Sequence, residues 1–170
     1  MEYEFRKLSC EDGRDIYDML QQLPEEENGF LNRARGLSYE EFKAWLRHCE
    51  INAQRTEVYD GWKVPQQVFW LYADGVPVGV GKLRPLLTDA LRQAGGNAGY
   101  SVAPAYRGMG YAKVILQGLL KEARKIGMTQ LLITVRNNNP ASIRVALSCG
   151  GVIDHVNDVR HYIWLDCIRQ

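Results

Sequence analysis

Between Asn97 and Val135 the hydrophobic period of the chain changes twice, and that change restricts the fold more than any other feature. Asn97 to Val102 reads as a short strand, stopped by Pro104. Ala112, Ile115, Leu116, Leu119, Ala123 and Ile126 then recur at helical spacing, with Lys113, Glu122 and Arg124 off that face and Gly127 at the end. Leu131-Leu132-Ile133-Thr134-Val135 follows as a nearly unbroken apolar run, the pattern of a strand covered on both faces. Strand, helix and strand of this length make a βαβ crossover, which predicts two parallel strands in an α/β sheet.

The turn that opens the helix is Arg107-Gly108-Met109-Gly110-Tyr111-Ala112. Glycines at 108 and 110 let the main chain approach a bulky group closely. The helix N-terminus behind them offers unpaired N–H groups and the positive end of a dipole. Arg107 adds a fixed, forked cation. A phosphate group is the ligand such a turn suits. A P-loop is excluded, because Tyr111-Ala112-Lys113 stands where Lys and Ser or Thr are needed. A dinucleotide fingerprint is excluded as well, because its third glycine is Lys113. An R-x-x-G-x-A diphosphate turn and an ordinary tight turn at the head of a surface helix remain.

The rest of the chain supplies the sheet. Tyr3 to Leu8 alternates weakly and predicts a first strand. Ser9, Asp12 and Asp15 suggest a helix start, running through Ile16, Met19 and Leu20. Leu23-Pro24 ends that helix, and Glu25 to Phe30 reads as an acidic loop. Ser38 with Glu41 has capping-box spacing, and Phe42, Trp45, Leu46 and Cys49 follow at helical intervals. Gln67 to Tyr72 and Val76 to Arg84 form an antiparallel pair about Asp74-Gly75. A helical turn from Thr88 to Gln93 leads to Gly95-Gly96. Asn139-Pro140 caps a later helix that places Ala141, Val145, Ala146 and Leu147 inward, and Val152 to Val156 with His161 to Cys167 closes the chain as a hairpin. The order predicts a mixed, mostly antiparallel sheet with helices on both faces, in a single domain spanning 1–170.

A net charge of +1 gives no global attraction to nucleic acid or to an anionic membrane, and neither is expected as a partner. Cys10, Cys49, Cys149 and Cys167 form no C-x-x-C pair, so no metal is expected. The first residues lack an apolar signal core and no stretch is long enough to span a bilayer, which makes a reduced, cytoplasmic setting the expectation.

The turn at Arg107–Ala112 resembles the pyrophosphate loop of the GNAT superfamily, the acyl-CoA-dependent N-acetyltransferases. The segment from Asn139-Pro140-Ala141-Ser142-Ile143 to Cys149-Gly150-Gly151 is similar to that family's later helix, and the two are separated by the crossover helix and one strand, as in that family. Trp70-Leu71, Gly79 to Arg84, Gly95-Gly96, Gly99 to Val102 and Pro24 to Phe30 also resemble a bacterial subgroup of predicted acetyltransferases. The likeness spans nearly the whole chain and is strongest from Asn97 to Gly151.

The resemblance implies the GNAT fold, with acetyl-CoA in a V-shaped gap where the strands ending at Val102 and Val135 splay apart. It assigns the diphosphate to the amides of Gly108, Met109, Gly110, Tyr111 and Ala112, with Arg107 nearby. The N–H of Val102 would polarise the thioester carbonyl, and Asn139 and Ser142 would contact the pantetheine arm or order its loop. An amine of a small molecule or a protein would then attack the thioester directly. The family's proton-donating Tyr falls at Ala146 here, so matching assigns no general acid. A thiolate with an intrinsic pKa of about 8.5 is a tolerable leaving group without one.

Candidates for the base are Tyr100, one strand repeat before Val102, and a water relay from Glu26, Glu27 or Asp60. Tyr100 also reads as a packed or substrate-contacting side chain. Glu25-Glu26-Glu27 reads as a solvated loop or as a lure for a cationic amine, with Tyr39, Trp45, Tyr59 and Trp62 near it as candidate cover. His48, His155 and His161 read as surface or packing residues, and Cys149 as a buried one with no paired His. Three functions follow: an acetyl-CoA-dependent N-acetyltransferase, the same enzyme with a succinyl or propionyl donor, and a CoA-binding sensor without turnover. Homodimerisation through the terminal strands stays open.

Overall fold

The computed structural model describes residues 1–55 and 61–169. In chain order the first elements are β1 (Tyr3–Lys7), α1 (Arg14–Gln22), β2 (Glu26–Glu27), β3 (Phe30–Leu31), α2 (Tyr39–Gln54), β4 (Gln67–Ala73), β5 (Val76–Leu83) and α3 (Asp89–Gln93). After them come β6 (Ala98–Val102), one 3-10 turn (Pro104–Tyr106), α4 (Tyr111–Lys125), β7 (Gln130–Arg136), α5 (Pro140–Ser148), β8 (Val152–Val156) and β9 (Arg160–Asp166).

β4 has no polar face, so both of its sides must be covered. Val68, Trp70 and Tyr72 enter one apolar layer, filled by Ile16, Met19 and Leu20 of α1 and by Phe42 and Leu46 of α2. Phe69, Leu71 and Ala73 enter the other, filled by Ile115, Leu116, Leu119 and Leu120 of α4. The polar atoms of the two large aromatics are satisfied in place. Trp70 Nε1 donates to Asp12 at 2.7 Å and the Tyr72 hydroxyl to Asp15 at 2.9 Å. α4 sits so close to β5 that a Cβ on Gly79 would lie 2.7 Å from Ile115, and one on Gly81 2.9 Å from the same side chain.

The strands form two main antiparallel sheets, ordered β1-β4-β5-β6 and β7-β9-β8. β6 and β7 are therefore facing edges: the crossover through α4 forms, but it carries the chain from one sheet to the other, and in place of the expected parallel pair every ladder among the described residues is antiparallel. Asn97 ties the two together at the base of β6. Its N–H donates to the Leu132 carbonyl and its Oδ1 accepts from the Leu132 N–H, both at 2.8 Å, while Nδ2 donates to the Arg84 carbonyl at 2.9 Å. The approach needs Gly96, where φ is +60° and a Cβ would stand 2.4 Å from the Leu132 oxygen.

Several local expectations are corrected. The first helix starts at Arg14 rather than beside Ser9, because Ser9 and Asp12 close a turn on each other at 2.8 and 3.0 Å. The acidic loop is a hairpin, β2 paired with β3 about Asn28 and Gly29, whose φ of 52° and 87° are those of a type I′ turn. On α4 the buried set includes Tyr111 and Leu120, Ala112 is half-buried, and Ile126 lies past the helix end, 45 % exposed. On α5 only Ala146 is buried; Ala141 and Leu147 face outward. The capping box at Ser38 and Glu41 forms as expected, and the helical turn expected from Thr88 to Gln93 is α3, which the Thr88 side chain caps. In the terminal hairpin β9 is central and β8 is an edge with every residue exposed.

Candidate functional site

β6 pairs with β5 through its odd-numbered residues. Asn97 lies opposite Arg84 and Ala103 opposite Val78 as hydrogen-bonded pairs, so Val102 and Tyr100 occupy the alternate, non-bonded positions opposite Gly79 and Gly81. The main-chain N–H and C=O of Val102 therefore point away from β5, toward the opening beside β7. The two sheets are stitched at Asn97, and no ladder pairs β6 with β7 among the described residues, which leaves the β7-facing groups of β6 at Val102 without a strand partner. An extended polar chain could complete such an edge.

The turn expected to hold a diphosphate stands at the wide end of this gap. Its two ends are fixed by aromatic packing. Tyr106 leans on both core layers, and Tyr111 is buried, 6.1 Å from the Tyr3 ring and 6.5 Å from the Tyr106 ring. Between them Gly108 and Gly110 have φ of 78° and 84°, and a Cβ on either would meet nothing within 4 Å. Met109 projects outward, 60 % exposed. Gly110 is the N-cap of α4 and brings no side chain to bond the first amides, and the first turn carries no acidic residue. The positive end of α4 is thus bare, uncompensated and open, as an anion requires.

Arg107 does not reach over that cradle. Its Nε donates to the Val102 carbonyl at 3.0 Å, and its two terminal nitrogens take Glu27 of β2 at 2.8 and 3.2 Å. The neighbouring Glu26 lies 3.6 Å from Arg136 at the end of β7. The β2–β3 hairpin thus crosses from one wall of the opening to the other. Its second strand is seated on the sheet: the Phe30 ring stands over Gly99 and lies 4.2 Å from Lys82 Nζ, which donates to the Leu31 carbonyl. Burial, aided by Arg84 and Arg33, pulls Lys82 down to about 7.

On the other wall, Asn139 caps α5, its Oδ1 accepting from the Ser142 N–H at 3.4 Å. The Tyr100 ring reaches from β6 to this helix and its hydroxyl donates to the Ser142 carbonyl at 3.5 Å. Burial pushes this phenol up to about 12, so it is neutral at physiological pH and holds its proton more tightly than a free phenol does. That favours the packed or substrate-contacting reading of Tyr100 over the base. Ala146 is fully buried one turn beyond Ser142, with no polar atom to contribute.

The remaining candidates are placed away from the opening or explained by packing. His155 stacks on Tyr162 at 4.2 Å and bonds Asp154, His161 bonds Asn137, and His48 is exposed. Cys149 is buried with its thiol pushed up by burial. Trp45 and Cys49 are half-buried on α2, Tyr39 packs edge-on to Tyr17, and Trp62 is 56 % exposed. Tyr59 and Asp60 lie outside the described residues. No cluster of three or more His, Cys, Asp or Glu able to hold a metal occurs among the described residues, and no helix there is long and apolar enough to cross a membrane.

Two residues in this region escaped the sequence reading. Asn97 was legible only as a strand end, since its role needs a carbonyl from β5 and an amide from β7. Glu27 as the partner of Arg107 needs a contact across 80 residues, although Asn28-Gly29 was an available hairpin signal.

The sequence model of the Acetyltransferase (GNAT) family matches residues 31–150, which contain the turn, the crossover and the Asn139 helix. No protein with a curated description matches by sequence. Solved structures match over nearly the full chain. RimL, named as a ribosomal L7/L12 alpha-N-protein acetyltransferase in complex with coenzyme A, superposes with a TM-score of 0.71 at 14% identity, covering 96% of this chain and 93% of its own. An N-acetyltransferase from Staphylococcus aureus Mu50 gives 0.65 at 17% identity, covering 98% and 99%. The putative acetyltransferase yncA from Salmonella typhimurium, with its cofactor acetyl-CoA, gives 0.63 at 18% identity, covering 100% and 96%. At these identities the likeness shows a shared fold.

Proposed function

Because the chain belongs to the GNAT family of acetyltransferases, we propose that it transfers an acetyl group from acetyl-CoA to a primary amine by direct attack on the thioester. The observation that carries this reading is the open edge of β6 at Val102 leading directly to a side-chain-free cradle at Gly108 and Gly110. The diphosphate lies against the amides of Gly108 to Ala112, and the acyl arm runs along β6 toward α5, past Asn139 and Ser142. The Val102 N–H donates to the thioester oxygen, where negative charge develops as the amine nitrogen bonds the carbonyl carbon. The C–S bond then breaks and the electron pair leaves on sulfur. Much of the acceleration is positional.

The leaving thiolate takes its proton from water, directly or relayed through the Tyr100 hydroxyl beside α5. The proton lost by the amine passes to solvent, with Glu26 and Glu27 at the opening as candidate relays. The acceptor is a small-molecule or protein amine, a choice the fold does not make. A second reading, a CoA-binding module without turnover, draws on the buried Ala146, which supplies no acid.

Release of free CoA thiol from acetyl-CoA, followed across a panel of amines, separates the two. Amine-dependent release with matching acetylated product supports the transferase. Saturable CoA binding with no product on any amine supports the module.

A further inference from the structure

We propose that the β2–β3 hairpin is an internal strap whose Glu27 competes with the cofactor diphosphate for Arg107, so that cofactor entry unlatches the acceptor side. The inference rests on the diphosphate reading of the Gly108–Ala112 turn.

The observations lie at the wide end of the gap. Consecutive carboxylates of one short strand grip arginines on opposite walls: Glu27 holds Arg107 at 2.8 Å on the β6 side, and Glu26 stands 3.6 Å from Arg136 at the end of β7. The hold on Arg107 uses both terminal nitrogens, and Nε is committed to the Val102 carbonyl. The guanidinium is therefore kept against the last open group of β6, with three of its five N–H donors committed and its fork engaged by Glu27 instead of by a ligand on the bare turn. A diphosphate on that turn brings more than one negative charge and fork-shaped acceptors, for which Arg107 is a matched partner. One guanidinium cannot keep the Glu27 carboxylate and a diphosphate in full contact. Bringing that extra negative charge beside Glu27 also repels it.

The strap is built to yield at this end and not at the other. Phe30 and Leu31 are seated on Gly99 and Lys82, whereas Glu27 and Arg107 are both about 40 % exposed. An exposed pair of this kind is weak and breaks readily. Glu26 Oε1 accepts from the Gly29 N–H at 2.7 Å and β2 is paired with β3, so loss of the Arg107 contact frees the Glu27 side chain and loosens this tip while Phe30 stays docked. Once released, Glu27 faces the opening without a cation and becomes an attractive contact for the protonated form of an arriving amine. Cofactor first, acceptor second is the order this arrangement imposes.

The test is calorimetric titration of the full chain with CoA, comparing wild type, Glu27→Gln, Glu26→Gln, Arg107→Gln and the Arg107→Gln/Glu27→Gln double variant. Glu27→Gln should bind CoA about two- to five-fold more tightly, Glu26→Gln should change affinity less, and the gain should vanish in the Arg107→Gln background. Hydrogen exchange supplies a readout free of substitution: amides of 26–29 in wild type should exchange faster with CoA bound than without. Unchanged or weaker CoA binding by Glu27→Gln would mean that Glu27 merely positions Arg107, and would overturn the strap. Slower exchange of the hairpin in the CoA complex would overturn it too. If wild type binds no CoA, the strap and the diphosphate reading fall together. Wild-type binding that Gly110→Glu abolishes, with no gain in Glu27→Gln, removes the strap alone.

Discussion

On the Arg107–Ala112 side of the opening the groups that face a ligand are main-chain amides, whereas on the Glu25–Leu31 side they are carboxylates on half-exposed side chains. The first wall is fixed by Tyr106, Tyr111 and the strand edge of β6, all anchored in the core. The second is held by ion pairs that water and salt weaken. A site made of backbone is set by the fold and hardly depends on which side chains surround it. A site made of surface charge is set by a few residues and can change without disturbing the fold.

The sharpest way to break the comparison is at the stitch that shapes the backbone wall. Asn97→Ala leaves the Leu132 amide and the Arg84 carbonyl without their buried partner. Denaturant unfolding should show a loss of about 3 kcal/mol; a loss below about 1 kcal/mol would mean that the gap is not held open by this residue. Next in size is Tyr100→Phe. If the phenol gives its proton to the leaving thiolate, kcat should fall about 10- to 100-fold while CoA affinity stays within about two-fold. Equal turnover would return Tyr100 to packing.

A smaller effect belongs to the hairpin seat. Lys82 titrates near 7 in the folded chain and near 10.5 when unfolded, so between those values the unfolded chain binds more protons. Stability should therefore rise with pH from about 7 toward 9, by about 1 kcal/mol at most per pH unit. The slope should flatten in Lys82→Met. Above 9 the opposite trend of Cys49, whose thiol burial raises to about 11, sets in. Smallest of all, Glu26→Gln should alter stability by no more than about 0.5 kcal/mol in the same unfolding experiment.

The same contrast governs what could be read from the sequence. The crossover, the glycine turn, the Asn139 cap and the capping box at Ser38 were legible because each is encoded within a few neighbouring residues. The burial of Tyr111 at the start of α4 and the exposure of Ile126 just past its end were not, because the residues at the ends of a pattern are packed by the turns that flank it. The inward face expected on α5 keeps Val145 and Ala146 but loses Ala141 and Leu147, which are exposed. The choice between base and packed readings of Tyr100 was not legible, because burial, which raises a phenol's pKa, is a tertiary property. Glu27 gripping Arg107 joins residues 80 apart and has no local signature.

Calorimetric titration of the purified protein with acetyl-CoA and with CoA, beside Gly110→Glu, bears most directly on the central claim that the bare turn and the β6 edge form the donor site. A carboxylate side chain at 110 would put negative charge and a Cβ at φ +84° into the open cradle. The account predicts saturable binding of both ligands by wild type and at least about 100-fold weaker binding by the variant, with unchanged unfolding cooperativity in both. Equal binding by the folded variant, or no binding by wild type, would contradict it.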